Sequence, residues 1–111
     1  GRDISQRFWV LHAGIDVRMP VGTPINPVMA GKISEIELGK YGYGKKVIVI
    51  HGEGYKSLYA HLSEINVKVG DRVNTESVIG LSGNTGRSTG PHLHLEILHN
   101  DKRVNPLAIL K

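Results

Sequence analysis

The sequence predicts an all-β fold, an antiparallel β-sheet core of sandwich or barrel type. Three observations carry this reading. Fourteen glycines and five prolines cut the 111-residue chain into short pieces. The pieces between them alternate apolar and polar residues with period two, or are rich in β-branched residues, and turn residues bound each one. Aromatic residues make up 5% of a chain that is 40% hydrophobic, so its core must come mostly from Val, Ile and Leu, which favour strands.

The strand candidates run in order from Lys32 to Leu38 (KISEIEL), Lys45 to Gly52 (KKVIVIHG), Lys56 to Leu62 (KSLYAHL), Arg72 to Gly80 (RVNTESVIG) and His92 to Leu98 (HLHLEIL). Residues two apart on a strand share a face. In the third candidate Leu58, Ala60 and Leu62 therefore share one face, and Tyr59 and His61 the other. In the last, His92, His94 and Glu96 point one way, while Leu93, Leu95 and Ile97 point into a core. Short helical turns are expected around Ser63 to Ile65 and near Pro106 to Leu110. No window carries a helical stripe, and no linker or low-complexity tract divides residues 1–111, so one domain is expected.

Bulk composition narrows the function classes. Without cysteine, disulfides and thiolate metal sites are excluded. No apolar run approaches the ~20 residues of a membrane-spanning helix. The formal net charge of +4 suits an anionic partner such as nucleic acid, a membrane surface or a bacterial wall polymer. The Lys and Arg residues are scattered and no aromatics alternate with them, which argues against a nucleic-acid groove. The chain opens at Gly1 without a signal peptide, as expected of a cut or processed start.

Three clusters hold residues that can do chemistry. In HAGIDV, His12 and Asp16 lie four apart with Gly14 between them, where a bend would let both side chains meet at one point. Imidazole nitrogen and carboxylate oxygen are both ordinary zinc ligands. Alone, this stretch reads equally as a surface loop with a turn-capping aspartate. In LYAHL, His61 alone reads as a half-buried sheet histidine. In HLH, His92 and His94 alone read as a polar face. Together the clusters say more. A catalytic zinc site takes three protein ligands and keeps one open position, with further groups nearby to handle protons. His51 and His99 are assigned to structure or solvent.

The stretches HAGIDVRMPVGTPI, YGYGKKVIVIHGEGYKSLYAHLS, VKVGDRV and GNTGRSTGPHLHLEI, followed by RVNP, resemble the lysostaphin-type, or β-lytic, zinc metalloendopeptidases of bacterial cell walls. The likeness runs from His12 to Pro106. It implies an antiparallel sheet crossed by a substrate groove, and one zinc ion per chain held by His12, Asp16 and His94. It also implies catalytic roles for His61 and His92, without saying which is the base. The implied activity is hydrolysis of peptide bonds in peptidoglycan stem or cross-bridge peptides. The implied setting is the cell envelope or a phage particle. The order within HLH, with His94 as ligand and His92 as catalytic residue, comes from the same likeness.

Some positions depart from the family pattern. A first strand ending in Phe-Gly-x-Arg is reduced to Gly1-Arg2, so the chain is expected to be a piece of a longer protein. The loop from Arg2 to Leu11 lacks a usual proline, Leu95 replaces a usual phenylalanine, and no glycine stands near Thr75 or Glu76. None of these touches the metal set. Two other readings compete. One is a catalytically inactive wall-binding or hydrolase-activator module on the same fold. The other is a carrier domain, because VKVGDRVNTESVIG resembles biotinyl and lipoyl hairpins, but no modifiable lysine stands at a hairpin tip.

Overall fold

A computed structural model describes residues 10–11, 14–39, 41–86 and 90–105. These residues form ten strands: β1 (Val10–Leu11), β2 (Gly14–Arg18), β3 (Pro24–Ile25), β4 (Gly31–Leu38), β5 (Lys45–Gly52), β6 (Tyr55–Ile65), β7 (Arg72–Val73), β8 (Gly80–Ser82), β9 (His92–His99) and β10 (Lys102–Val104). Every pairing among them is antiparallel, and the main path runs β1-β2-β9-β6-β5-β4-β7. Strand β10 pairs with β9, and β8 pairs with both β3 and β6. The path ends at β1 and β7, so among the described residues the sheet stays open and the barrel alternative is not realised. No helix of the described residues is long and apolar enough to cross a membrane.

One face of the sheet is apolar. Ile15, Ile33, Val47, Val49, Tyr59, Leu62, Ile79, Leu93 and Leu95 form its buried cluster. Full burial of each aliphatic side chain contributes roughly 1.5–3 kcal/mol. The expected split of β9 holds for Leu93 and Leu95, which join this cluster, while His94 and Glu96 are buried against polar partners on the other face.

Strand β6 departs from simple alternation. Lys45 pairs with Leu62 and Val47 with Tyr59, so one residue of β5 lies opposite two of β6. That extra residue makes a β-bulge, and His61 within it has φ 63°, in the left-handed region. Tyr59 lies in the core opposite Leu95, while Ala60 lies opposite His94 on the other face. The bulge then turns His61 onto the His94 side. Tyr59 and His61 therefore do not share a face, and Leu62 lies in the core without Ala60. Period two fails here because it assumes an unbroken ladder.

Other expectations change too. Ser63 to Ile65 is the end of β6 and not a helical turn, because Glu64 and Ile65 pair with Leu81 and Gly80. The stretch from Arg72 to Gly80 is not one strand, because β7 ends at Val73 and β8 begins at Gly80. The Asn74 side chain accepts from the Glu76 N–H at 2.8 Å, and the Asn74 carbonyl accepts from the Ser77 N–H at 3.0 Å, so a turn splits it. Strands β1, β2, β3 and β10 are additional to the five expected. The helical turn expected near Pro106 to Leu110 lies outside the described residues.

A hydrogen-bonded chain locks the core to the loop that follows β3. The Val28 N–H donates to the Tyr59 hydroxyl at 2.9 Å, which donates to Ser57 Oγ at 2.7 Å. Ser57 donates to His51 Nε2 at 2.8 Å, and His51 Nδ1 donates to the Ala30 carbonyl at 2.8 Å. The Ala30 carbonyl can only accept, so His51 Nδ1 carries a proton. His51 is thus structural, as expected. Burial raises the Tyr59 pKa against the hydrogen bonds with Ser57 and Val28, so the hydroxyl keeps its proton. Tyr59→Phe should cost roughly 1–3 kcal/mol, because Val28 and Ser57 lose a buried partner. A thermal melt by circular dichroism should fall by about 5–15 °C, and an unchanged midpoint would deny the chain any share in stability.

Candidate active site

Directly opposed residues of an antiparallel ladder project from the same face. Asp16 of β2 is opposite His94 of β9, and Arg18 is opposite His92. Ala60 of β6 lies on the other side of His94. The non-core face of β2, β9 and β6 thus gathers Asp16, His92 and His94, and the bulge adds His61. Gly14 opens β2 where it runs so close to β9 that a Cβ would strike the Leu95 carbonyl oxygen. The glycine thereby serves close strand approach.

The four side chains are in contact. Asp16 Oδ1 lies 2.6 Å from His94 Nδ1 and 3.4 Å from His92 Nε2. The His61 ring centroid is 4.9 Å from that of His92 and 6.1 Å from that of His94. Backbone carbonyls set two of the tautomers. His61 Nδ1 donates to the Thr85 carbonyl at 2.6 Å, and His92 Nδ1 donates to the Gly90 carbonyl at 2.8 Å. A carbonyl can only accept, so in each neutral ring Nδ1 carries the proton and Nε2 keeps its lone pair. Burial lowers the His61 pKa, outweighing the Thr85 hydrogen bond, so His61 is neutral at physiological pH.

Thr85 is itself held in place. Its hydroxyl donates to the Leu62 carbonyl at 2.6 Å and accepts from the Lys45 N–H at 3.1 Å. Gly44 and Gly86 let two loops approach so closely that a Cβ on either would strike the other's backbone. The Tyr43 carbonyl accepts from the His61 N–H at 2.8 Å, which completes the support of the bulge.

Glu96 is the residue that sequence reasoning placed on this face without a role. Its side chain is 1% exposed. His94 Nε2 lies 3.0 Å from Glu96 Oε2, Tyr43 donates its hydroxyl to the same oxygen, and Arg103 Nε donates to Oε1 at 3.2 Å. Desolvation would raise the Glu96 pKa, but hydrogen bonds from His94, Tyr43 and Arg103 outweigh it and leave the pKa lowered. The carboxylate is therefore ionised. Burial, aided by the Glu96 charge, raises the Tyr43 pKa. His94 stands between two carboxylates: desolvation pulls its pKa down, and hydrogen bonds to Glu96 and Asp16 more than reverse that. The alternation within HLHLE could have pointed to Glu96, whereas nothing local points to Tyr43 or Arg103.

The donor set fits a divalent cation. Asp16 Oδ1 and His94 Nδ1 converge, and both atoms are ordinary zinc donors. Glu96, as acceptor of an Nε2 proton, favours the tautomer that leaves the His94 Nδ1 lone pair facing Asp16. Two donors do not make a site, and among the described residues no group of three His, Asp or Glu side chains is disposed to hold a metal. His12, the expected third ligand, lies outside the described residues. His99 stacks on Tyr55 with ring centroids 4.1 Å apart, away from this cluster and in keeping with a structural assignment.

Comparison with known proteins gives the family of the chain. Residues 10–106 match the family model described as Peptidase family M23. The chain is 43% identical over 105 residues to the glycyl-glycine endopeptidase ALE-1 of Staphylococcus capitis, covering 90% of this chain and 29% of that protein. It superposes on the catalytic domain of lysostaphin from Staphylococcus simulans with TM-score 0.82 at 40% identity, covering 90% of this chain and 79% of that one. A zinc-containing peptidase from Vibrio cholerae gives TM-score 0.80 at 39% identity, covering 84% of this chain and 28% of that one. This chain thus spans less than a third of the curated relative.

In the metal-free protein, the stabilisation that His94 draws from its carboxylates is full below the ordinary histidine value of 6.5 and is lost as pH rises through its raised folded pKa. Glu96→Gln should lower the His94 pKa, since desolvation would meet a weaker opponent. Titration of the metal-free protein by histidine NMR checks this, and an unchanged or higher pKa would contradict it.

Proposed function

Because the chain belongs to peptidase family M23, we propose that it is a zinc-dependent endopeptidase that hydrolyses peptide bonds in peptidoglycan stem or cross-bridge peptides. The observation that carries this is the convergence of Asp16 Oδ1 and His94 Nδ1 beside the His61 and His92 rings, each anchored through Nδ1 to a backbone carbonyl. His12, Asp16 and His94 hold one zinc ion per chain. Zinc supplies Lewis acidity toward water and toward the scissile carbonyl.

The protein's own groups do the rest. Asp16 and His94 are held by the ladder, and Glu96 orients the His94 ring. The His61 and His92 rings lie with centroids 4.9 Å apart, each anchored through Nδ1 to a carbonyl. One takes a proton from water and the other steadies the developing oxyanion. Such proton handling contributes roughly 10²- to 10⁴-fold. The net charge of +4 suits an anionic wall, in the cell envelope or on a phage particle.

The competing reading is an inactive wall-binding or activator module on the same fold. Digestion of defined muropeptides by the zinc-loaded protein, with product masses read by mass spectrometry, separates the two. Specific cleavage at a glycyl bridge or at a D-amino-acid cross-link, abolished by a chelator, is expected. Tight wall binding with stoichiometric zinc and no products would favour the inactive module.

The two histidines of HLH should separate in their effects. His94→Ala should leave a folded protein with little zinc by elemental analysis. His61→Ala and His92→Ala should keep zinc and lose about 10²-fold or more in turnover. Loss of zinc from His92→Ala with retention by His94→Ala would reverse the assigned order.

A further inference from the structure

The face that carries Asp16 and His92 continues into a cleft of about 480 Å³ lined by Arg18, Met19, Pro20, Gly90 and Pro91. Among the described residues Arg18 is its one charged lining residue. Because Arg18 stands directly opposite His92 in the β2–β9 ladder, its guanidinium and the His92 ring leave the sheet on the same side. A substrate that crosses His92 therefore passes Arg18. Among the described residues no carboxylate pairs with Arg18: Asp16, two residues before it, lies against His94 and His92. Pro20 and Pro91 stiffen the walls and Met19 adds an apolar side.

We propose that this cleft is a carboxylate subsite, in which Arg18 binds a carboxylate of the peptide within one or two residues of the bond that is cut. The inference rests on the peptidase reading above. The chemistry favours a carboxylate over a neutral group because a guanidinium is a fixed planar fork that donates to two oxygens at once. The carboxylate has two sources, a free C-terminus or an acidic side chain. In the first case the protein would release a terminal residue as well as cut within a chain.

The test uses three peptides with one cleavable bond. One ends in a free carboxylate next to the bond, one is its C-terminal amide, and one is an amide with an acidic side chain at that position. kcat/KM is measured for the zinc-loaded wild type, Arg18→Met and Arg18→Lys. The wild type should prefer one of the carboxylate peptides over the plain amide by about tenfold, mainly through KM, and which one identifies the source. In Arg18→Met the ratio should fall to near one, while Arg18→Lys should retain part of it. A ratio equal in wild type and Arg18→Met, or no preference in the wild type, would overturn the subsite. Equilibrium binding of the same peptides by the His61→Ala protein, with and without Arg18→Met, gives the same ratio without turnover. If no peptide is cut by the wild type, the peptidase reading fails, and the binding ratio still decides the subsite.

Discussion

Asp16 stands opposite His94, and Ala60 flanks His94 from the other side, because β2, β9 and β6 pair in one register. A slip of a single residue in either ladder would send Asp16 or His94 into the apolar core and bring a leucine or isoleucine out. The apolar face forbids that slip. Ile15, Leu95 and Tyr59 are buried together, and exposing them would forfeit several kcal/mol in all. The chemistry on one face is thus positioned by packing on the other. The small residue at Ala60 leaves room for the His94 ring at the centre of the row.

A buried carboxylate tightens what the register arranges. Glu96 lies next along β9 on the His94 face, and Tyr43 and Arg103 reach it from a loop and from β10. A lone buried charge is expensive, but one with three charge-assisted or hydroxyl donors is compensated. Its ionised state holds one nitrogen of His94 and leaves the other toward Asp16. Carbonyls of Gly90 and Thr85 do the same work for His92 and His61. All three histidines have at least one nitrogen engaged by the protein, and this pre-organisation reduces the reorganisation that catalysis would otherwise require.

One of the four non-glycine residues with left-handed φ among the described residues lies at the same place. His61 adopts φ 63° inside the β6 bulge, a conformation uncommon for a non-glycine residue. Its N–H and its ring are both hydrogen-bonded to loops that meet through Gly44 and Gly86. The bulge also marks where β6 passes from pairing with β9 to pairing with β8. One irregular residue therefore both bends the sheet and redirects an imidazole toward His92.

The strand content and the split of β9 into a histidine face and a leucine face were legible in the sequence, because period two is a property of the extended backbone itself. The clusters that hold His12, Asp16, His61, His92 and His94 stood out in the sequence, and the structure brings Asp16, His61, His92 and His94 together, while His12 lies outside the described residues. The faces of Tyr59 and His61 were not legible, because the bulge exists only relative to β5. Tyr43 as partner of Glu96, 53 residues away, was likewise hidden. So was the role of the Thr85 and Gly90 carbonyls, which carry no side-chain signature. A residue's alternation along a strand is decided by its immediate neighbours in the chain. Its partner across the sheet is decided by which distant segments bury their apolar faces together, and only the tertiary structure settles that.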